Sequence, residues 1–435
     1  MKAKVLWVLL VFFGLWSSPA AADNRYIVRA PSGLTFLQQV LQQVCSVLVS
    51  CNVVGGLDGT LSKVFLVTTP DFLDPNAFLQ ILRSQPGIAH VEPDALLRVM
   101  QATAAAPPRG LWDNTPVNYF GATVIHGYVS QPAIGIIRLP DSQTTFNVSG
   151  TGTVAVIDTG VDPSHPVLQS VLVPGYGFTR NSYGSASELT DVNQSSIGSG
   201  ASPAKVNQSS AAILDPQSVF NFNQPQYQAF GHGTMVSGII HLVAPTALIM
   251  PLKAFNADGT GYLSDVLSAI YFAVQNGANV INMSFSFSTY SVELAKALKY
   301  ATRHRVICVA SAGNDGEDEI IYPAALADVM GVASTTNNDA LSSFSNYGED
   351  LVWVAAPGEG IITTYPFGTF GAGWGTSFSA PFVSGAAALF LGVRAKCNES
   401  CAESSLANAF WISPDLGNGR IDLYQAVDAA SQGRD

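Results

Sequence analysis

Apolar and polar positions alternate along this chain in two rhythms, and the change between them divides it. Within 23–100, short strand-like runs at 26–28, 63–69 and 88–92 alternate with helically spaced segments at 36–49 and 76–83. This pattern predicts a small α+β domain with helices on one face of an antiparallel sheet. Residues 101–130 are rich in Ala, Pro and Gly and read as a linker. The segment 131–435 is read as one large domain. Its strands are continuous apolar runs at 153–157, 248–253, 280–283, 306–310 and 329–333. Helical patterns at 235–242, 263–275, 291–304 and 377–392 separate them. Unbroken apolar strands between helices predict an α/β fold, a doubly wound and mostly parallel sheet with helices on both faces. The stretch 177–230, rich in Ser, Gly, Asn and Gln and without periodicity, predicts a surface insertion.

The first residues change the picture of where the chain works. Lys2 and Lys4 precede an apolar run at 5–16 and the small residues of 17–22. A basic end, a short apolar core and a small-residue site predict a signal peptide at 1–22, cut after Ala22, and a secreted or periplasmic protein. The run is short for a membrane span, and no later stretch is long and apolar enough, so no span is expected in the mature form. With 48% hydrophobic and 12% charged residues, the chain can bury a large core. A net charge of −11 without a basic stripe argues against a nucleic-acid partner. Of five cysteines, the close pairs Cys45/Cys51 and Cys397/Cys401 are candidate disulfides in an oxidising compartment, whereas Cys308 sits in an apolar run and is expected as a buried thiol.

In open parallel sheets, ligands bind at the carboxyl ends of the strands. Asp158 ends one predicted strand, and Ser284 and Asn314 lie just past two others. Each candidate alone has a plain structural explanation. An Asp caps a turn, a Ser caps a helix, and Asn-Asp-Gly makes a turn. Together, in the order Asp158, His232, Asn314, Ser377, they supply what acyl transfer needs. A serine hydroxyl is a weak nucleophile until a histidine takes its proton, a carboxylate orients that histidine, and an amide donates to the developing oxyanion. Ser377 opens a predicted helix, whose first amides and dipole favour an anion. Pro381 is expected in that helix's first turn.

These segments resemble the subtilisin-like serine proteases, or subtilases, in their precursor form. The resemblance rests on Asp158-Thr159-Gly160, Gly231-His232-Gly233-Thr234, Ala312-Gly313-Asn314 and Gly375-Thr376-Ser377-Phe378-Ser379-Ala380-Pro381, and covers about residues 131–430. It implies a triad of Asp158, His232 and Ser377, with Asn314 and the Ser377 amide as oxyanion donors. Asp258-Gly259-Thr260-Gly261 and Asn282-Met283-Ser284-Phe285-Ser286 resemble the family's substrate-pairing segments, which places Gly259, Thr260, Gly261, Ser284, Phe285 and Ser286 beside substrate. By the same resemblance, Ala312 and Gly313 wall the specificity pocket and Ile321 floors it. Broad-specificity relatives have glycine where Ile321 stands, so the pocket is expected to be short and to favour small or medium apolar side chains.

Residues 23–100 resemble the family's inhibitory propeptide. This implies self-cleavage between Met100 and Gln101, a prodomain that acts as its own inhibitor, protein or peptide substrates, and a monomer. Several positions depart from the family pattern. Met235 replaces a usual second histidine, and Ser286 replaces a usual glycine. Val167 stands where many members have a calcium-binding aspartate, and the calcium loop after the histidine helix is shortened at 241–245. No cofactor or metal is therefore expected to be required, and the usual ligand positions do not support structural calcium. Two other classes compete. A catalytically inactive peptide-binding relative would lack a reactive serine. A nucleotide-binding α/β protein would need a Gly-rich loop ending in Lys-Ser/Thr, which the chain lacks.

Overall fold

A computed structural model describes residues 24–45, 51–98, 106–179, 184–192, 206–207, 212–214 and 225–433. The expected signal peptide and the expected cleavage junction at Met100 and Gln101 lie outside the described residues. The chain divides into two compact units, Met1–Gly56 with Lys63–Pro93, and Leu57–Ser62 with Asp94–Asp435. The boundary falls at Pro93, seven residues before the end of the expected prodomain at 100.

The first unit contains β1 (Asn24–Arg29), α1 (Leu34–Val44), β2 (Asn52–Gly56), β3 (Val64–Thr69), α2 (Pro75–Arg83) and β4 (His90–Pro93). Its antiparallel sheet has the order β2-β3-β1-β4. Val28, Leu37, Val67, Leu82 and Val91 form its core. Helix α2 starts where the pattern places it, because the Asp74 side chain accepts from Asn76 N and Pro75 occupies the first turn. Edge strand β2 was not predicted. It is mostly exposed, glycine-containing and bulged between Val53 and Gly55, so it carries no alternating apolar signal. A disulfide joins Cys45 to Cys51, from the end of α1 to the residue before β2.

In the second unit come β5 (Leu96–Arg98), β6 (Pro116–Tyr119), β7 (Ala122–Ile125), α3 (His126–Val129), α4 (Pro132–Ile136), α5 (Leu139–Phe146), β8 (Thr153–Asp158), β9 (Tyr176–Gly177), β10 (Val206–Asn207), β11 (Ala212–Leu214) and α6 (His232–Val243). They are followed by β12 (Leu248–Lys253), β13 (Thr260–Tyr262), α7 (Leu263–Gln275), β14 (Val280–Met283), α8 (Val292–Arg303), β15 (Ile307–Ser311) and β16 (Met330–Thr335). The last elements are β17 (Val354–Pro357), β18 (Ile361–Tyr365), β19 (Thr369–Gly373), α9 (Thr376–Val393), α10 (Glu399–Leu406) and α11 (Leu423–Gln432). The seven-stranded sheet has the order β17-β16-β15-β14-β8-β12-β9, and every adjacent pair is parallel. Helix α6 packs on α9, and α7 on α8. Among the described residues, α9 alone is long and apolar enough to cross a membrane, and it is buried in this core.

Register sets the site. Asp158 pairs with Lys253, and Ile157 with Met283, so β8, β12 and β14 end together. Asp158, Ser284 and the residues after β15 therefore share one edge.

Two expectations are corrected. The described part of the 101–130 linker is folded. Leu111, Val124 and Tyr128 are buried in the main core. Tyr119 donates to Leu242 O at 2.6 Å and Tyr128 to Gly238 O at 2.6 Å, which covers carbonyls in the last turns of α6. The 177–230 stretch is not wholly peripheral either. Ile213 pairs with Ala372 of β19, and the Glu188 side chain within 184–192 is fully buried. Cys397 and Cys401 are disulfide-bonded near the start of α10, while Cys308 is a buried thiol.

Candidate active site

His232 is the first residue of α6, and two glycines make that placement possible. Gly231 has φ 89°, and a Cβ there would strike the Tyr365 ring. A Cβ on Gly233 would collide with Gly160 O, in the turn after Asp158. The close approach brings the His232 ring to Asp158, with Nδ1 at 2.8 and 2.9 Å from the two carboxylate oxygens. Both side chains are almost fully buried. The carboxylate also accepts from Thr159 N at 2.7 Å. Behind it, the buried Lys253 ammonium donates to Thr159 O (2.7 Å), Phe255 O (3.0 Å) and the Asp191 carboxylate (2.6 Å).

Ser377 is the second residue of α9. Pro381 lies in the second turn of this helix rather than the first. It has no N–H to offer the carbonyl four residues back, which is that of Ser377. Ser284 Oγ supplies the missing donor at 2.9 Å. In return, Ser377 Oγ donates to Ser284 O at 3.1 Å. Asn282 Nδ2 donates to Ser284 Oγ at 2.9 Å, and Asn282 Oδ1 accepts from Ser384 Oγ at 2.8 Å. The nucleophile is thus fastened to the end of β14 by a neutral network.

Asn314 follows β15. Its Oδ1 accepts from Thr376 N (2.8 Å) and Thr376 Oγ1 (2.9 Å), while Thr376 Oγ1 accepts from Gly313 N (3.2 Å). Thr376 therefore fixes which end of the Asn314 amide accepts and which donates, beside the residue that bears the nucleophile. The His–Ser link of the triad is not closed. His232 Nε2 is buried without a hydrogen-bond partner, and the Ser377 hydroxyl is turned to Ser284 O. Such links are commonly long before substrate binds and tighten afterwards.

The remaining predicted residues divide into two groups. Gly259, with φ 81°, turns the chain into β13, where Thr260 and Gly261 pair antiparallel with Arg98 and Leu97 of β5. This pairing is anchored by Asp94, whose carboxylate accepts from Ser264 N and Oγ at 2.8 Å each. Ser284, Phe285 and Ser286 extend β14. The Phe285 ring is buried against Phe255 at 4.9 Å and Ser284 Oγ is engaged, so contact with a peptide falls to their main chain. Ser286 Oγ is buried without a partner. Ala312 and Gly313 lead from β15 to Asn314. Ile321 is buried beside Tyr322, which exchanges 2.9 Å backbone bonds with Phe287. Val167 is a core residue.

Sequence reasoning assigned no role to Thr376, Asn282, Lys253 or Glu188. The first three carried a signal. Asn282 interrupts an apolar strand, Lys253 ends one, and Thr376 adjoins Ser377. Glu188 carried none.

The family profile described as Subtilase family matches residues 150–410. The thermophilic serine proteinase of Bacillus sp. (strain AK1) is 32% identical over 287 residues, covering 63% of this chain but only 61% of that relative. Thermitase of Thermoactinomyces vulgaris is 30% identical over 318 residues, covering 69% of this chain and 97% of thermitase. Among solved structures, fervidolysin from Fervidobacterium pennivorans superposes with a TM-score of 0.69 at 23% identity, covering 95% of this chain and 61% of that one, a likeness of fold. Sequence, fold and site geometry converge, and the chain belongs to the subtilase family of serine endopeptidases.

Proposed function

We propose that this chain is an exported serine endopeptidase, made as a zymogen that processes itself. The observation that carries the reading is the convergence at one sheet edge of the bonded Asp158–His232 pair, of Ser377 at the start of α9, and of Asn314 oriented by Thr376. His232 Nε2 takes the Ser377 Oγ proton as that oxygen attacks the scissile carbonyl carbon. Asn314 and the Ser377 amide receive the oxyanion. Collapse expels the amine, which leaves with the proton from His232, and water then hydrolyses the acyl-serine ester by the same proton route. Asp158 holds the imidazole tautomer throughout. The reaction asks for no cofactor, and chelation is expected to leave activity and melting temperature unchanged.

Pairing of Leu96–Arg98 with Thr260–Tyr262 supports the zymogen reading, because an extended peptide adds to an exposed edge in this way. The basic, apolar and small-residue pattern of the first 22 residues supports export. Ile321 supports a short pocket that favours Ala, Val, Leu or Met before the scissile bond. The mature enzyme is read as a monomer acting on protein substrates, with its own prodomain as inhibitor.

The test is the intact mass of purified wild type and Ser377→Ala, alongside a peptide-cleavage assay. Expected are a wild-type chain shortened near residue 101 and active, and a Ser377→Ala chain inactive with residues 23–100 attached. Identical shortening of both, in a host without proteases, would overturn self-processing. An inactive peptide-binding relative remains the second reading, favoured by the Ser377 hydroxyl being bonded to Ser284 O rather than to His232. Stoichiometric labelling of Ser377 by a serine-directed fluorophosphonate would refute it.

A further inference from the structure

We propose that Glu188 is a positioning residue for the catalytic pair, joining the start of α6, which carries His232, to the turn that follows Asp158. Glu188 lies in the Ser- and Gly-rich stretch between the two, 43 residues before Gly231, and its side chain is fully buried. Oε2 accepts from Gly231 N at 2.9 Å and from Thr159 Oγ1 at 3.2 Å. Thr159 Oγ1 in turn accepts from Gly233 N at 3.0 Å. The amides on both sides of His232 therefore end on one carboxyl group, the first directly and the second through the residue after Asp158. Oε1 accepts from Thr234 Oγ1, which itself accepts from Asp162 N at 2.8 Å. Removing Glu188 leaves these donors buried without their acceptor, and the ring and carboxylate lose their common support.

The charge on this group matters as well. Burial pushes the Glu188 carboxyl up to about 8, against the lowering effects of Thr234, Lys253 and Gly231 N, while Asp158 raises it further. It faces Asp158 from β8, Thr234 from α6, and Lys253 from β12, whose ammonium is bonded to Asp191 three residues after Glu188. Near neutrality the neutral acid predominates, and its O–H can donate to Thr234 Oγ1, the reverse of the bond that the carboxylate form accepts. Above about pH 8 it becomes a second anion near Asp158.

The inference rests on the proposed hydrolase activity, so its test needs one readout that works without turnover. Wild type, Glu188→Ala and Glu188→Gln are compared by kcat, KM, their pH profiles, and the low-field proton resonance of His232 Nδ1–H recorded in the Ser377→Ala background. Glutamine keeps an acceptor for Gly231 N and Thr159 and a donor for Thr234. Expected for Glu188→Ala is a fall on the order of 10²-fold in kcat with KM within about threefold, and a shifted or broadened resonance. Expected for Glu188→Gln is kcat within about threefold at pH 7, without the wild-type inflection near 8. An alanine variant with unchanged kcat and unchanged resonance overturns the proposal, and so does a glutamine variant as impaired as alanine. If Glu188→Ala does not fold, Thr159→Val severs only the Gly233 branch. A loss of about tenfold in kcat with a moved resonance supports the inference, and no change in either overturns it. A wild type without turnover but with the resonance moved by Glu188→Ala would sink the hydrolase reading and leave the positioning role standing.

Discussion

The two halves of the site are held by different chemistry. Asp158 and His232 rest on a buried ionisable network that includes Glu188, Lys253 and Asp191. Ser377 and Asn314 rest on neutral hydroxyls and amides, those of Ser284, Asn282, Ser384 and Thr376. The base half must accept and release a proton in every turnover, so its surroundings tune charge. The nucleophile half must hold an oxygen and an amide in place, so its surroundings fix geometry and carry no charge. From this difference, acidity should act on the first half alone.

The largest effect tests the charged half. Asp158→Asn should lower kcat by about 10⁴, because the imidazole loses its tautomer and its counter-charge. Steady-state kinetics with an unchanged circular dichroism spectrum would check this, and a loss under tenfold would break the contrast. Next, Asn314→Ala should cost about 10² to 10³ in kcat with little change in KM, since the amide acts on charge that appears only in the transition state. A rise in KM at constant kcat would reassign Asn314 to substrate binding.

Asn282→Ala sharpens the comparison from the neutral side. Asn282 bridges Ser384 and Ser284, so kcat should fall by about tenfold and stability by about 1–3 kcal/mol. Its pH–rate profile should overlay that of wild type. A displaced profile would mean the neutral network is coupled to the histidine.

The smallest effect concerns stability against acid. His241, on the same helix as His232, is pushed down to about 4 by burial, and burial also lowers the neighbouring His165. The unfolded chain takes up these protons below about pH 6.5, whereas folded His241 refuses its proton until about 4. Stability is therefore lost as pH falls from about 6.5 toward 4, on the order of 1 kcal/mol per pH unit for His241, with a contribution of the same sign from His165. Melting temperatures from pH 7 to pH 5 check this, and His241→Gln should flatten the slope. An unchanged slope would remove His241 from the account.

What the sequence made legible follows the same division. Strand β12, strand β14 and helix α7 match their patterns end to end, because continuous or periodic apolar runs report burial directly. The site residues of the triad were visible because each ends a strand or begins a helix. The strands β17 and β19 were missed. Val-Ala-Ala-Pro and Thr-Phe-Gly-Ala-Gly are weak strand formers that only their neighbours make buried. The linker hid its anchors, Tyr119 and Tyr128, among Ala, Pro and Gly. Glu188 was illegible for a deeper reason. Its role depends on contacts at Thr159, Gly231 and Thr234, and a lone glutamate in a polar stretch has no period to reveal them.

Pro381 carries a consequence for motion. In an uninterrupted helix, the Ser377 carbonyl would belong to the ladder of α9 and would fray and re-form with it. Here that rung is absent, and the carbonyl is tied to Ser284 at the end of a central strand. Thermal fluctuations of the helix end are thereby uncoupled from the reacting oxygen. Ser377 is thereby tied to the sheet that also carries Asp158, the partner of the base His232.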